Sequence, residues 1–179
     1  MPSDGPLAPI ESLVAQGITE VIVVTGDPPQ EMRRRVYPTT AVSLIRRIKR
    51  DWPNLKVYAA YDPYRQGIRA ELDYAAGKLD AGADGFFTQP FFDLRLLEIH
   101  AELLAGQVVF WGVSPVMTDK SRAYWEATNR AVFPREFVAS LEWNQEFARR
   151  ALQFLRSVGG HVYFMPIKID IGSYLSSVL

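Results

Sequence analysis

The sequence contains no cysteine and only two histidines, His100 and His161. The lack of cysteine excludes disulfides, thiolate zinc sites, iron–sulfur clusters and a cysteine nucleophile. Two histidines are too few for a multi-histidine metal centre. We therefore predict no metal site.

An excess of charge of one sign and long apolar runs are also missing. The 20 basic and 20 acidic side chains cancel, so nothing favours nucleic acid or an anionic membrane as partner. No apolar run approaches the roughly 20 residues that span a bilayer. The first residues, MPSDGPLAP, lack the basic and apolar segments of a signal peptide. The sequence predicts a cytoplasmic protein, and with 48% apolar residues we expect residues 1–179 to form a single domain.

What the chain does have is a regular alternation of short apolar strands and amphipathic helices. Strands are predicted at 21–24, 57–61, 85–88, 107–111 and 161–165. Helices are predicted at 10–18, 41–48, 68–79, 94–104, 122–127 and 143–158, with a short helix or tail at 171–179. This order predicts an α/β fold with about five parallel strands, either curled into a barrel or open. The first run, Val21 to Val24, is wholly apolar and predicts a strand buried on both faces.

In such folds the functional groups lie on loops at the carboxyl ends of the strands. These positions hold Thr25, Gly26 and Asp27, then Tyr61 and Asp62, then Thr88 and Gln89, then Ser114 and Pro115, and last Pro166 and Lys168. The sequence has no GxGxxG after a strand, no GxxxxGK[ST] and no GxSxG, so no Rossmann or P-loop device holds nucleotide phosphates.

From the residues alone, the role of each candidate is open. For Asp27 in Gly-Asp-Pro-Pro a turn residue that bonds local backbone amides is the favoured interpretation, and a ligand contact is the alternative. Gln89 could bond a neighbouring loop or a ligand. Lys78 lies on a helix, where a solvated face is the default.

Three segments together resemble the methylenetetrahydrofolate reductase family. They are GITEVIVVTGDPP at 17–29, AAYDP at 59–63 with KLDAGADGFFTQPFFD at 78–93, and WGVSPV at 111–116. The family has a strand ending in Arg-Gly-Asp before prolines, then Lys-x-Asp-Ala-Gly-Ala-Asp, Thr-Gln and Phe-Phe-Asp, then Pro-Gly-Ile-x-Pro. The order and spacing of the three segments agree with those of the family's motifs over nearly the whole chain.

The resemblance implies a (β/α)8 TIM-type barrel, here a partial one, that binds FAD at the carboxyl ends of its strands. The implied reaction is flavin-dependent reduction of 5,10-methylenetetrahydrofolate to 5-methyltetrahydrofolate, with NADH or NADPH as electron donor. The implied catalytic residue is Asp27, beside the flavin ring. The implied cofactor contacts are Thr25, Gly26, Asp27, Tyr37, Tyr61, Glu71 and Lys78, and the implied folate contacts are Gln89 and Lys168.

The chemistry of these residue types agrees with the implied roles. A carboxylate at Asp27 would disfavour negative charge on a reduced flavin by Coulomb repulsion. Gln89 offers both a donor and an acceptor to the mixed edge of a pterin. Tyr61 offers a flat ring for stacking and a hydroxyl for a polar contact.

The sequence also departs from the family pattern. The family's first three strands, with the glutamate that protonates the folate, have no counterpart. Thr25 stands in place of an arginine, and Lys168 lacks the forked geometry of the arginine that it replaces. Five strands cannot close an eight-stranded barrel, and an open edge invites pairing with another chain. Three explanations follow: a fragment of a longer gene, a homologue that binds flavin or folate without catalysis, or a subunit completed by a second copy or a partner.

Overall fold

The computed structural model describes residues 7–25 and 39–179. Helices and strands alternate along the chain. They are α1 (Ala8–Ala15), β1 (Glu20–Val23), α2 (Ala41–Asp51), β2 (Lys56–Tyr61), α3 (Ile68–Asp80), β3 (Gly85–Thr88), α4 (Leu94–Leu103), β4 (Val109–Val113), α5 (Asp119–Asn129), α6 (Leu141–Ser157), β5 (His161–Phe164) and α7 (Ile171–Leu175). None of the helices in these two ranges is long and apolar enough to cross a membrane.

The five strands form one parallel sheet in the order β1-β2-β3-β4-β5. Each strand lies beside the next one in sequence, and the order never reverses. An open doubly wound sheet contains such a reversal, whereas a (β/α)8 barrel does not. The sheet therefore has the winding of part of a barrel, and the predicted fold class is confirmed.

All five strands lie where the sequence predicts them, with one shift. Strand β4 begins at Val109 rather than at 107. Gly106 has a φ of 83°, and the Gln107 N–H donates to the Leu104 carbonyl at 3.1 Å. This turn closes the end of α4, so the extended backbone starts only after it.

The prediction that the first strand is buried on both faces is wrong. Val23 is 5% exposed, but Ile22 is 48% exposed and Val24, just after β1, is 59% exposed. Strand β1 stands at the end of the sheet order, and α2 packs against it. The face that carries Ile22 is open in the part of the chain described, so β1 alternates like a half-buried strand.

The contacts of the chain group into two compact units, each with its own buried core. Of the described residues, 7–25, 39–60 and 72–86 form one unit, and 61–71 and 87–179 form the other. The first buries Ile45, Ile48 and Val57 completely. The second is centred on Phe92. Its ring centroid lies 4.5 Å from that of Phe133 and 5.1 Å from that of Trp125. That the two units form one domain stays a prediction.

Candidate functional site

The second unit contains the loop that leaves the carboxyl end of β3, and the backbone of this loop is held on both sides. The Thr88 carbonyl accepts a hydrogen bond from the Tyr163 hydroxyl. The Gln89 N–H donates to the Tyr61 carbonyl at 2.8 Å. The Thr88 hydroxyl accepts from the Gly112 N–H at 3.0 Å. Side chains thus extend the sheet's hydrogen bonds beyond β3.

The next two residues of the loop are held in the same way. The Tyr64 hydroxyl donates to the Pro90 carbonyl at 2.9 Å. The Phe91 N–H donates to the Gly112 carbonyl at 3.0 Å. Burial raises the pKa of Tyr64, so its hydroxyl remains a donor at neutral pH.

Gln89 is the residue of this loop with an uncommitted polar side chain. It is half-buried, and its side-chain amide makes no hydrogen bond to residues 7–25 or 39–179. A glutamine amide offers two donors and one acceptor oxygen, so it can bond a ligand that presents both kinds of group. The loop therefore presents one free amide from a fixed backbone.

Tyr61 ends β2 with its side chain fully buried. Its hydroxyl lies 2.7 Å from Nδ1 of His100 on α4, and the two rings meet edge to face with centroids 5.5 Å apart. Burial, then the charges of Glu71 and Asp62, raise the pKa of the Tyr61 phenol. The ring has no exposed face in this structure.

Glu71, at the start of α3, has a fully buried carboxylate bonded to the loop that precedes the helix. It accepts from Arg65 at 2.6 Å, from Gln66 at 2.9 Å and from the Asp62 N–H at 3.3 Å. Burial raises the pKa of the Asp62 carboxyl, which lies in the same loop. The carboxylate of Glu71 thus holds the loop after β2 against α3.

In the first unit, Lys78 is buried rather than solvated. It is 2% exposed, and its Nζ donates to the Ala60 carbonyl at 2.6 Å. The same ammonium lies 4.0 Å from the centroid of the Tyr74 ring. The expectation of a solvated face is wrong because a strand carbonyl and an aromatic ring take the place of water.

The model of the family described as "Methylenetetrahydrofolate reductase" matches residues 7–152. The chain belongs to this family. A curated relative, "Probable methylenetetrahydrofolate reductase (NADPH)" from Caenorhabditis elegans, is 25% identical over 143 residues. The match covers 74% of this chain and 22% of the relative, so this chain spans about a fifth of the relative's length.

Among solved structures, a methyltetrahydrofolate-binding protein has a similar fold. It is described as an "Uncharacterized protein from Clostridium thermocellum" that "binds two copies of 5-methyl-5,6,7,8-tetrahydrofolic acid". It superposes with a TM-score of 0.54, covering 99% of this chain and 90% of that chain at 11% identity. At this identity the likeness concerns the fold alone.

The structure describes some, but not all, of the positions that family resemblance marks as a site. Gly26, Asp27 and Tyr37 lie outside the described residues. Thr25 is exposed just after β1, and Lys168 is exposed in the loop after β5 with a φ of 56°. Tyr61 and Gln89 are joined through their backbones. No hydrogen bond or ion pair of the described chain joins Lys168 to either of them.

Of the described side chains implied for FAD, Thr25 is exposed, whereas Tyr61, Glu71 and Lys78 are engaged within the folded chain. The Tyr61 ring is enclosed, the Glu71 carboxylate is bonded to Arg65, and the Lys78 ammonium is bonded to a strand carbonyl. Their roles in FAD binding stay predictions.

Reasoning from sequence missed several residues that build the site. Tyr163, Tyr64 and His100 hold or bury the groups discussed above, yet none stands at a position that the family motifs mark. Gly112 lies in the motif WGVSPV, but the motif does not indicate why a glycine is needed there. Its role depends on Tyr163, which is its register partner on β5, and only the paired strands reveal that contact.

Proposed function

We propose that this chain takes part in its family's chemistry, the flavin-dependent reduction of 5,10-methylenetetrahydrofolate to 5-methyltetrahydrofolate. The observation that carries the proposal is the family match over residues 7–152, which includes both the Gly26-Asp27 and the Thr88-Gln89 segments. FAD is the proposed cofactor and NADH or NADPH the electron donor. The proposed location is the cytoplasm, with a folate as the small-molecule partner.

In this proposal the chain's own residues orient the substrate and set the local charge. Gln89 bonds the pterin edge with its free amide, and Lys168 meets an anionic part of the folate. Asp27 would hold a negative charge beside the flavin ring, which disfavours further negative charge on a reduced flavin. The name of the Caenorhabditis elegans relative specifies NADPH, so NADPH is the donor to test first.

The test is a flavin titration of the purified chain and of Asp27→Asn. We expect the wild-type chain to retain FAD absorbance after gel filtration and to form 5-methyltetrahydrofolate when 5,10-methylenetetrahydrofolate and NADPH are supplied. Asp27→Asn should slow turnover about tenfold or more, since charge stabilisation at a reacting centre contributes at least this much. Asp73→Asn, an exposed aspartate on α3, is the matched control. Retained flavin with an unchanged rate in Asp27→Asn would refute the role of Asp27.

A second candidate is a homologue or partner subunit that binds folate without turning it over. The observation that favours it is that Tyr61, Glu71 and Lys78 are bonded within the chain, whereas the Gln89 side-chain amide has no partner among the described residues. The Clostridium thermocellum protein, which by its description binds 5-methyltetrahydrofolate, is matched over 90% of its own length. A protein of similar fold and similar size is thus described as binding a folate.

Calorimetry separates the two candidates. A folate binder should take up 5-methyltetrahydrofolate with no heat of FAD binding, whereas a reductase should bind both. Formation of product from methylenetetrahydrofolate and NADPH by the purified chain would rule out the second candidate. Binding of neither ligand would rule out both.

A further inference from the structure

The peptide group between Thr88 and Gln89 is held at both of its polar ends. Its carbonyl accepts from the Tyr163 hydroxyl, and its N–H donates to the Tyr61 carbonyl at 2.8 Å. The first of these bonds comes from a side chain, so the regular pairing of strands does not supply it. A peptide bonded on both sides cannot rotate without breaking one of the bonds, and its orientation limits the direction in which the Gln89 side chain leaves the backbone.

Gly112 makes the approach of Tyr163 feasible. A Cβ at position 112 would lie 2.8 Å from the Tyr163 hydroxyl oxygen, 2.9 Å from its Cζ and 3.1 Å from Cα of Pro90. The first two distances are shorter than side chains tolerate, so any larger residue would displace the phenol or the loop. Gly112 and Tyr163 are register partners on β4 and β5 and act as a pair.

The Tyr163 phenol is suited to a permanent donor role. Burial raises its pKa to about 12, so the hydroxyl keeps its proton at neutral pH. Its ring packs against Phe87 with centroids 5.5 Å apart, and this contact is independent of the hydroxyl. A phenylalanine at this position would therefore keep the ring in place and lose only the hydrogen bond.

We propose that Tyr163 and Gly112 are positioning residues for Gln89, and that they aim its free amide at the pterin ring of a reduced folate. The proposal rests on the folate contact proposed for Gln89 and adds two residues that no family motif marks for this purpose. Tyr163 does not touch the folate; it acts through the peptide group that carries Gln89.

A double-mutant cycle tests this inference, with 5-methyltetrahydrofolate as the probe and its dissociation constant measured by calorimetry. Tyr163→Phe should weaken binding about fivefold, the size of one neutral hydrogen bond. In a Gln89→Ala background the same substitution should change binding by less than about twofold, because the group that it aims is gone. Gly112→Ala should reproduce the effect of Tyr163→Phe.

A second measurement follows the peptide group itself. Hydrogen exchange of the Gln89 backbone N–H should be about tenfold faster in Tyr163→Phe than in the wild-type chain, since its peptide group has lost one of its two hydrogen bonds. Tyr174→Phe, which removes a buried hydroxyl that has no partner among the described residues, is the matched control and should alter neither quantity.

The outcomes are distinct. Equal losses of affinity in the wild-type and Gln89→Ala backgrounds would mean a general structural role and would overturn the inference. Unchanged affinity and unchanged exchange in Tyr163→Phe would overturn it as well, as would a variant that fails to fold. If the wild-type chain does not bind the folate, the proposed function fails first and the inference falls with it.

Discussion

At the scale of single residues, the pair formed by Tyr61 and His100 limits the protonation of a histidine. Both side chains are fully buried, and Nε2 of His100 has no hydrogen-bond partner among the described residues. A protonated imidazole would carry two N–H donors and a charge into this apolar site. Burial therefore lowers the pKa of His100, although the negative charge of Glu71 opposes part of the shift.

This pKa shift predicts that the folded chain loses stability as the pH falls. The unfolded chain takes up a proton at His100 near pH 6.5, whereas the folded chain does so only at lower pH. Below about pH 7 the unfolded state then binds more protons, so acid favours unfolding. Between pH 7.5 and 5.5 the free energy of unfolding should fall by about 1 kcal/mol from this group.

Urea denaturation at both pH values measures the effect, with two variants as comparison. His100→Gln keeps an acceptor for Tyr61 and should lose less stability on acidification than the wild-type chain. His161→Gln, which removes an exposed histidine, should follow the wild-type chain. Equal pH dependence in His100→Gln and wild type would contradict the prediction. The comparison also cancels the contribution of the half-buried Asp62 carboxyl, whose raised pKa acts in the opposite direction.

At the scale of elements, much of the segment KLDAGADGFFTQPFFD serves the fold rather than the site. Asp84 accepts from the Val57 N–H at 2.7 Å, Phe92 fills the core of the second unit, and Asp93 caps α4. Family resemblance in this segment is therefore strong evidence for the architecture. It is weaker evidence for chemistry, because within this segment only Lys78 and Gln89 are proposed to contact a ligand.

The cap of α4 gives a prediction for this element. The Asp93 carboxylate accepts from the Leu96 N–H at 2.8 Å and satisfies one of the free N–H groups of the first turn. Asp93→Ala should lower the free energy of unfolding by about 1 kcal/mol. Asp93→Asn, which retains an accepting oxygen, should cost only a few tenths. Chemical denaturation of the three proteins measures the difference, and a loss in Asp93→Asn as large as in Asp93→Ala would refute the capping role.

Periodicity and turn residues predicted the strands and helices because each strand is a short apolar run that a glycine or proline closes. A strand such as Gly85 to Thr88 can be recognised from a few consecutive residues. The contacts of the candidate site could not be predicted in this way, because they join residues that are distant in sequence. Tyr163 meets Thr88 across 75 positions, and Tyr61 meets His100 across 39. No local pattern reports such pairs.

At the scale of the whole chain, the sheet has an open end at β1. Strand β1 pairs with β2 and is the first strand in the sheet order, so its other edge has no partner in the described residues. Unpaired strand edges are templates for pairing between chains, and natural proteins often protect them with a lysine. On β1 the exposed side chains are Glu20 and Ile22, and Ile22 brings an apolar group to this edge.

We therefore expect the purified chain to self-associate through β1, and Ile22→Lys to reduce that association. Lysine brings a charge to an edge where a second strand would have to bury it, so pairing should weaken about tenfold or more in dissociation constant. Sedimentation equilibrium over a range of concentrations measures this constant. Val132→Lys is the matched control, because Val132 is similarly exposed at 53% against 48% for Ile22 but lies outside the strands. If Val132→Lys weakens association as much as Ile22→Lys, the contact is a general apolar one and not the edge of β1. A wild-type chain that stays monomeric at all concentrations would mean that the open edge is covered in another way.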